Sequence, residues 1–446
     1  MNVRRRRRDD LSRRGVLLGS GIDLHPGIHG SLRASPPSGY GYVARNAQHV
    51  FLHGRGRQGF SPLRHRHWAE LVRFETGNEL VHSVSWPVLG RRHWVVELDD
   101  FGYPAYAGRR MLSAGFRRSL ESAWTEAFTR DVRLRTECLV RAYTHQSCGA
   151  VVFMTFAAAR AASSLLIQLQ LERWIEPLIA KAVVIYPATP ALPAGEIGSK
   201  WDRQRRMKVL FCGRAFRAKD GALALRVVDR LLERGYDFEF TYVGHIPPSA
   251  RGGFRNVLAH VRVIESLPRR RVLALMKDAH VLFHPSPSES VGMVFVEAAA
   301  AGLAVVASEG PGLPQLHELF PPGGVRSVDR GHGSQIEHER RFEAALETLL
   351  RSWGRTRAIG LRNHRWAREG SISVRQRNEA FASVYESTLR RRGTQPLHVA
   401  DLTAGRSWTA SSIGARRLRS MIHDGLSTSI EAYFTVRAGG PATMPQ

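Results

Sequence analysis

The sequence predicts an α/β protein built on parallel sheets, and three observations predict it. Apolar strand-like runs alternate with amphipathic helical stretches through both halves of the chain, the pattern that parallel strands joined by helical crossovers leave. Two of the helical stretches stop at a glycine, Gly235 and Gly302, as helix C-termini commonly do. Between the halves, Pro187, Pro190, Pro193 and Gly195 fall within nine residues and read as an interdomain linker.

The elements follow in order. Residues 1–14 form a basic tail, with arginine at every position from 4 to 8, and lead into a first strand. Ser12-Arg13-Arg14 resembles a twin-arginine export signal in passing. The apolar stretch such a signal needs, about 7–15 residues, is interrupted at Gly19-Ser20-Gly21-Ile22-Asp23. The reading is therefore a cytoplasmic protein. Residues 15–190 make an N-terminal Rossmann-like domain, with strands at 50–52, 94–98, 150–155 and 182–186 and a helix over about 157–172. Residues 191–206 are the linker. Residues 207–373 make the second domain, with strands at 208–212, 238–243, 261–265, 281–284 and 303–307. Its helices fall near 222–234, 294–301 and 341–352. A helix over 374–392 follows, and 393–446, rich in Gly, Ser, Thr and Pro, reads as a tail or appendage.

Composition narrows the class. The 446 residues are 43% apolar and 23% charged, an ordinary globular balance that excludes collagen, coiled coil and disorder throughout. No apolar run approaches the roughly 20 residues of a membrane span. Cys138, Cys148 and Cys212 form no CxxC pair, so a disulfide framework or zinc knuckle is not expected and a reducing compartment fits. The net charge of +26 is carried by arginine, since lysine stands only at 181, 200, 208, 219 and 277. Such a surface attracts polyanions and would permit peripheral contact with the inner face of an acidic membrane. Specific nucleic-acid binding is not expected, because no recognition motif or aromatic-basic interleaving accompanies the charge. There is no Walker A loop, no HExxH and no ligand spacing among the 19 histidines, so neither metal nor cofactor is expected.

Two clusters carry candidate chemistry. The first runs Pro285-Ser286-Pro287-Ser288-Glu289-Ser290-Val291-Gly292-Met293 and continues into a helix holding Glu297. It follows an apolar strand, so it lies at the carboxyl end of a parallel strand, where open α/β sheets bind ligands. The free N–H groups of the following helix suit a phosphate. A carboxylate accepts hydrogen bonds from vicinal hydroxyls, so Glu289 and Glu297 would hold two sugars flanking one diphosphate. The second cluster, Gly213-Arg214 through Lys219-Asp220-Gly221, also links a strand to a helix. Arg214 and Lys219 would neutralise a diphosphate, arginine as a fork and lysine as a point charge.

Together these clusters resemble the donor-binding domain of the retaining family-4 glycosyltransferases, the glycosyl transferases group 1 type with the GT-B fold. The resemblance covers about residues 207–330. It rests on Gly213-Arg214 with Lys219-Asp220-Gly221, on Pro285-Ser286 through Glu289, and on Glu297-Ala298-Ala299-Ala300-Ala301-Gly302 before a valine-rich strand. It implies two Rossmann-like domains whose parallel sheets face a central cleft, 15–190 on the acceptor side and 207–373 on the nucleotide-sugar donor side, with the helix at 374–392 crossing back onto the first domain. It further implies that Arg214, Lys219 and Glu289 are catalytic, the first two holding the diphosphate of a nucleotide sugar and Glu289 contacting its sugar. Glu297 would bind ribose hydroxyls, and Gly213, Ser290, Val291, Gly292 and Met293 would line the donor. The implied reaction moves a hexose to a hydroxyl of a glycan, lipid-linked or small-molecule acceptor, with retention and without a metal. A catalytically silent nucleotide-sugar or glycan-binding homologue, a GT-B epimerase and a phosphorylase are the alternatives. The chain departs from the family in four places, the first being Asp220, one residue inserted between Lys219 and Gly221. Ser290-Val291-Gly292 replaces Gly-Phe-Gly, Gln315 stands where the family has an acid, and the N-terminal half matches poorly. There Gly19-Ser20-Gly21 and Gly27-Ile28-His29-Gly30 are candidates for the usual glycine-rich turn. Asp99 or Asp100 would contact substrate or merely cap a turn, and His145 reads as structural.

Overall fold

The computed structural model describes residues 13–20, 24–54, 68–74, 80–99, 101, 126–202, 206–310, 312–331, 333–403 and 408–413. The arginine run at 4–8, Asp100 and residues 414–446 of the expected tail lie outside them.

Strands β1 (Arg14–Ser20), β2 (Tyr40–Asn46), β3 (Gln48–Gly54), β4 (Trp68–Arg73), β5 (Leu80–Val84), β6 (Val88–Leu89), β7 (Trp94–Leu98), β8 (Cys148–Phe153) and β9 (Ala182–Val184) belong to the first half. Six of them form one sheet in the order β2-β1-β5-β7-β8-β9, every neighbour parallel. The second half supplies β10 (Met207–Cys212), β11 (Phe238–Val243), β12 (Arg262–Ile264), β13 (Val281–His284), β14 (Ala304–Glu309) and β15 (Val325–Asp329). These also form a wholly parallel sheet, ordered β12-β11-β10-β13-β14-β15. Parallel strands covered on both faces read as unbroken apolar runs, and β7, β8 and β13 are buried at every residue. Each sheet separates two apolar cores. The chain thus holds two Rossmann-like α/β domains with parallel sheets.

Both sheets change winding direction once. In the first the reversal lies between β1 and β5, in the second between β10 and β13. Loops leaving neighbouring strands toward opposite sides open a crevice at such a point, and ligands of open α/β sheets settle there. The cluster at 213–221 follows β10 and the cluster at 285–292 follows β13, so the second crevice lies between the two stretches singled out in the sequence.

Four expectations need correction. Residues 50–52 lie in β3, outside the parallel sheet; β3 pairs antiparallel with β4 in a small separate sheet ordered β16-β3-β4-β6. β16 (Trp408–Ile413) comes from the expected tail and pairs antiparallel with β3. The tail therefore contributes to the first half, and Leu397 and Leu402 are buried in that core. The segment 191–206 contains a helix, Ala194–Asp202, docked on the second domain. Trp201 is 1% exposed, and the Lys200 Nζ donates to Ala301 O at 2.8 Å and Met276 O at 3.3 Å, capping two helix ends. The helix expected at 341–352 begins earlier, as Gln335–Leu350, behind a Ser334/Glu337 capping box.

The helix Val374–Arg390 leaves the second domain and buries Phe381, Val384 and Tyr385 against Val16, Leu80, Val95 and Val152 of the first sheet. Its Arg377 donates to Ser31 Oγ at 2.8 Å, Ala188 O at 3.1 Å and Ser35 O at 2.7 Å. Among the described residues no helix is long and apolar enough to cross a membrane.

Candidate functional site

An ion pair spans the crevice of the second sheet. Lys219, from the loop after β10, donates to Glu289 Oε1 at 2.6 Å, from the loop after β13. His284, the last residue of β13, bonds the same oxygen through Nε2 at 2.7 Å. Burial alone would raise the Glu289 pKa. The hydrogen bond and charge of His284 and the charge of Lys219 outweigh it and hold the carboxyl at about 2. Glu289 is therefore ionised at neutral pH. Its Oε2 has no hydrogen-bond partner among the described residues and can accept from a hydroxyl.

The backbone around Glu289 is held by close approaches. Glu289 N donates to Gly312 O at 3.1 Å. A Cβ at Gly312 would sit 1.9 Å from Pro287 O, so the two loops pass too closely for any side chain there. Gly292 has φ +77° and precedes the helix Met293–Ala300, a conformation that favours glycine. That helix starts directly behind the crevice loop, and its Phe295 N donates to Gly292 O at 2.8 Å; a helix start leaves further N–H groups without intrahelical partners. Gln315, 2% exposed, donates from Nε2 to Glu289 O at 2.9 Å and Ser290 O at 3.1 Å. The exchange of acid for amide thus has a physical role: an amide N–H can donate to two carbonyls and an ionised carboxylate cannot. Gln315→Glu is expected to lower stability by about 1–3 kcal/mol, the cost of a buried group without its partner. A thermal melt unchanged from wild type would contradict this.

Glu297 lies apart from that cluster. It is 8% exposed, and its Oε1 accepts from Arg269 Nε at 2.7 Å. Burial outweighs the Arg269 charge and raises its pKa above the ordinary carboxylate value. Its Oε2 has no hydrogen-bond partner among the described residues. Gly213 is packed by Lys219, whose Cβ lies 2.9 Å from the position a Gly213 Cβ would take. Arg214 is exposed in the same loop and makes no side-chain hydrogen bond among the described residues. Ser290 is exposed, while Val291 and Met293 are buried at 2% and 9% exposure. The structure therefore brings Lys219, Glu289 and the 290–293 turn together, leaves Arg214 projecting, and places Glu297 beside Arg269.

Sequence reasoning missed several residues. His284 reads as the end of an apolar strand. Arg330, just past β15, donates to Asp220 Oδ2, to Pro285 O at 2.7 Å and to Ser308 Oγ at 2.9 Å. It thereby ties both crevice loops to β14. In a chain so rich in arginine, only its tertiary partners distinguish it. Arg269 opens the helix Arg269–Asp278 and is equally ordinary in sequence.

The first domain faces this site. The Glu318 carboxylate, from the second domain, accepts from Phe156 N at 2.7 Å and Ala157 N at 2.9 Å, at the start of the helix Phe156–Gln168. It also accepts from Arg160 at 3.0 Å and from Tyr186 Oη at 3.2 Å. An acidic side chain at a helix N-terminus is a favourable contact, and here it joins the two domains. Ile28 and Met154 of the first domain share an apolar cluster with Val291, Met293 and Phe295 of the second.

Residues 199–320 match the family model described as glycosyl transferases group 1. The chain is similar to the phosphatidylinositol N-acetylglucosaminyltransferase GPI3 subunit of Saccharomyces cerevisiae, 24% identical over 34% of this chain and 34% of that one. It is also similar to the phosphatidyl-myo-inositol mannosyltransferase of Mycobacterium tuberculosis, 36% identical over 23% of this chain and 28% of that one. The match thus spans about a third of the length of these curated relatives. Among solved structures, the alpha,alpha-trehalose 6-phosphate synthase from Burkholderia multivorans aligns with 85% of this chain and 99% of its own at 11% identity, with a TM-score of 0.48.

Proposed function

We propose, on the match of residues 199–320 to the family model described as glycosyl transferases group 1, that the chain is a glycosyltransferase moving a hexose from a nucleotide sugar to an acceptor hydroxyl. The observation that carries the reading is the pairing of Lys219 with Glu289 across the crevice between β10 and β13. Glu289 is kept ionised with one oxygen open to a sugar hydroxyl. Lys219, the exposed Arg214 and the first turn of the helix Met293–Ala300 form a positive cradle for the diphosphate. As the glycosidic bond breaks, charge accumulates on the leaving phosphate, and preorganised cations and N–H groups stabilise that charge more than the ground state. These groups would do the work without a metal. Glu297 offers its second oxygen to ribose hydroxyls, with Arg269 fixing the first. Arrangement of donor and acceptor on one face of the sugar would give retention of configuration.

The acceptor would enter against the first domain. Inositol phospholipids come first in the acceptor panel, because two curated relatives are named as phosphatidylinositol glycosyltransferases; glycans and small polyols stand beside them. A lipid acceptor would be met by peripheral contact of this basic chain with an acidic cytoplasmic membrane face.

The test is a thermal-shift series of purified protein against UDP-, GDP-, ADP- and dTDP-sugars in the presence of a chelator. A ligand that binds only the native state raises the melting temperature by mass action. One nucleotide class is expected to shift wild type, and Glu297→Ala is expected to weaken its Kd by about 10–100-fold, the loss of one charged hydrogen-bonding group. Release of nucleoside diphosphate with the acceptor panel then measures transfer. An unchanged Kd in Glu297→Ala would remove that residue from the donor site. A folded wild type that neither shifts with nor turns over any nucleotide sugar would overturn the function.

A further inference from the structure

The reversal point of the first sheet lies between β1 and β5, and the loop leaving β1 carries His25. That loop meets the donor site directly. A Cβ at Gly27 would lie 3.4 Å from Arg269 Nε, the same atom that holds Glu297. The His25 ring is fixed by its own backbone: Nδ1 accepts from Gly27 N at 3.1 Å and from Ile28 N at 3.3 Å. A nitrogen that accepts carries no proton, so the neutral ring bears its hydrogen on Nε2. Nε2 has no hydrogen-bond partner among the described residues, and solvent reaches the ring.

The loop itself is anchored from below. His25 N donates to His29 Nδ1 at 2.7 Å, and His29 Nε2–H donates to Glu97 Oε2 at 3.2 Å. Glu97 is 2% exposed at the carboxyl end of β7 and also lies 3.4 Å from His82 Nε2. His82 Nδ1 pairs with Tyr385 Oη at 2.7 Å, on the helix that crosses back from the second domain. Burial would raise the Glu97 pKa, but the bonds and charges of both histidines pull it below the ordinary carboxylate range. Its charge fixes the His29 tautomer, which in turn fixes the backbone that aims His25.

We propose that His25 is a catalytic residue of the first domain, donating its Nε2–H to an oxygen of the nucleotide sugar's diphosphate as that group departs. This rests on the glycosyltransferase reading above. The bond between the anomeric carbon and the phosphate oxygen breaks with its electron pair left on the oxygen. The acceptor oxygen forms the new bond to the anomeric carbon, and the acceptor proton passes to the departing phosphate. His25 keeps its own proton throughout. Although solvent reaches the ring, crowding in the cleft wall and then the neighbours His29, Arg269 and Arg214 push its pKa below the usual histidine value, with only Glu97 opposing them. A neutral donor in that setting completes a cradle otherwise made of arginines and Lys219. The residues that build it come from both domains, so the full set of donors exists only when the domains face each other.

The experiment compares His25→Ala, His25→Gln and wild type with the nucleotide sugar that shifts the wild-type melt. The readouts are kcat for nucleoside diphosphate release, Kd for the nucleoside diphosphate and the melting temperature. His25→Ala is expected to lose about 10²–10³-fold in kcat, as when one oxyanion donor is removed, with Kd weakened by less than about 10-fold. His25→Gln, whose amide N–H reaches toward the Nε2 position, is expected to recover at least about 10-fold of the loss. Wild-type turnover with His25→Ala within about 3-fold of it would overturn the role of His25 and leave the function standing. Equal losses in both variants with a lowered melting temperature would show a merely structural loop and overturn the proposal. No turnover of any nucleotide sugar by folded wild type would overturn the function and this role together.

Discussion

Lys219→Met is expected to lower nucleotide-sugar turnover by about 10²–10³-fold, the loss seen when one preorganised stabiliser of a developing charge is removed. The position does two things. Its ammonium faces the crevice, and it draws Glu289 across from the neighbouring loop at 2.6 Å. Methionine keeps the length and apolar stem of the side chain and deletes only the charge, so packing against Gly213 survives. Glu289 retains His284, and the Lys219 side chain is 26% exposed, so the melting temperature is expected to move little. Kinetics and stability thereby separate. A variant that turns over within about 5-fold of wild type would show that Lys219 merely neutralises Glu289 and contributes nothing to the transition state.

Arg330→Met is expected to act the other way, chiefly on stability. Its guanidinium joins Asp220, Pro285 O and Ser308 Oγ, so its loss unfastens the loop after β10 and the loop after β13 from β14 together. Asp220 is strained at φ +53° and also caps the helix Gly221–Glu233 through Leu223 N, which leaves it poorly placed to find another cation. Hydrogen bonds to charged groups are worth about 1.5–3 kcal/mol, so a loss of roughly 2–3 kcal/mol is expected. For a domain of this size that is a fall of about 5–10 °C in melting temperature. Wild-type melting of the variant would mean that the two loops hold each other without it.

The second half was legible because its pattern is local. Lys219 and Glu289 stand in the loops that follow two apolar strands, and Gly292 marks the turn into a short helix. The positions of strands and glycines are enough to place all three at the carboxyl edge of a parallel sheet. The sequence placed Glu297 on the helix behind the loop but not its partner, since Arg269 lies 28 residues away in an arginine-rich stretch. The first half was poorly legible for a related reason. Strands β3, β4 and β6 form a separate small sheet that β16 joins from the far end of the chain, and no local pattern reveals that last pairing. Gln315 looked like a neutral replacement, and only its two carbonyl partners show why an amide stands there.

By itself, then, the sequence determined the α/β class, the parallel sheets and the two loops that flank the crevice between β10 and β13, because strand periodicity and turn chemistry act over a few residues. The tertiary structure decided what those residues face. It set Glu318 on the helix Phe156–Gln168 of the other domain and put the loop of His25 and Gly27 against Arg269. It also joined Tyr385 to Glu97 through His82. Those contacts link residues that are hundreds of positions apart, and they depend on how two sheets and a returning helix pack, which no short stretch of chain encodes.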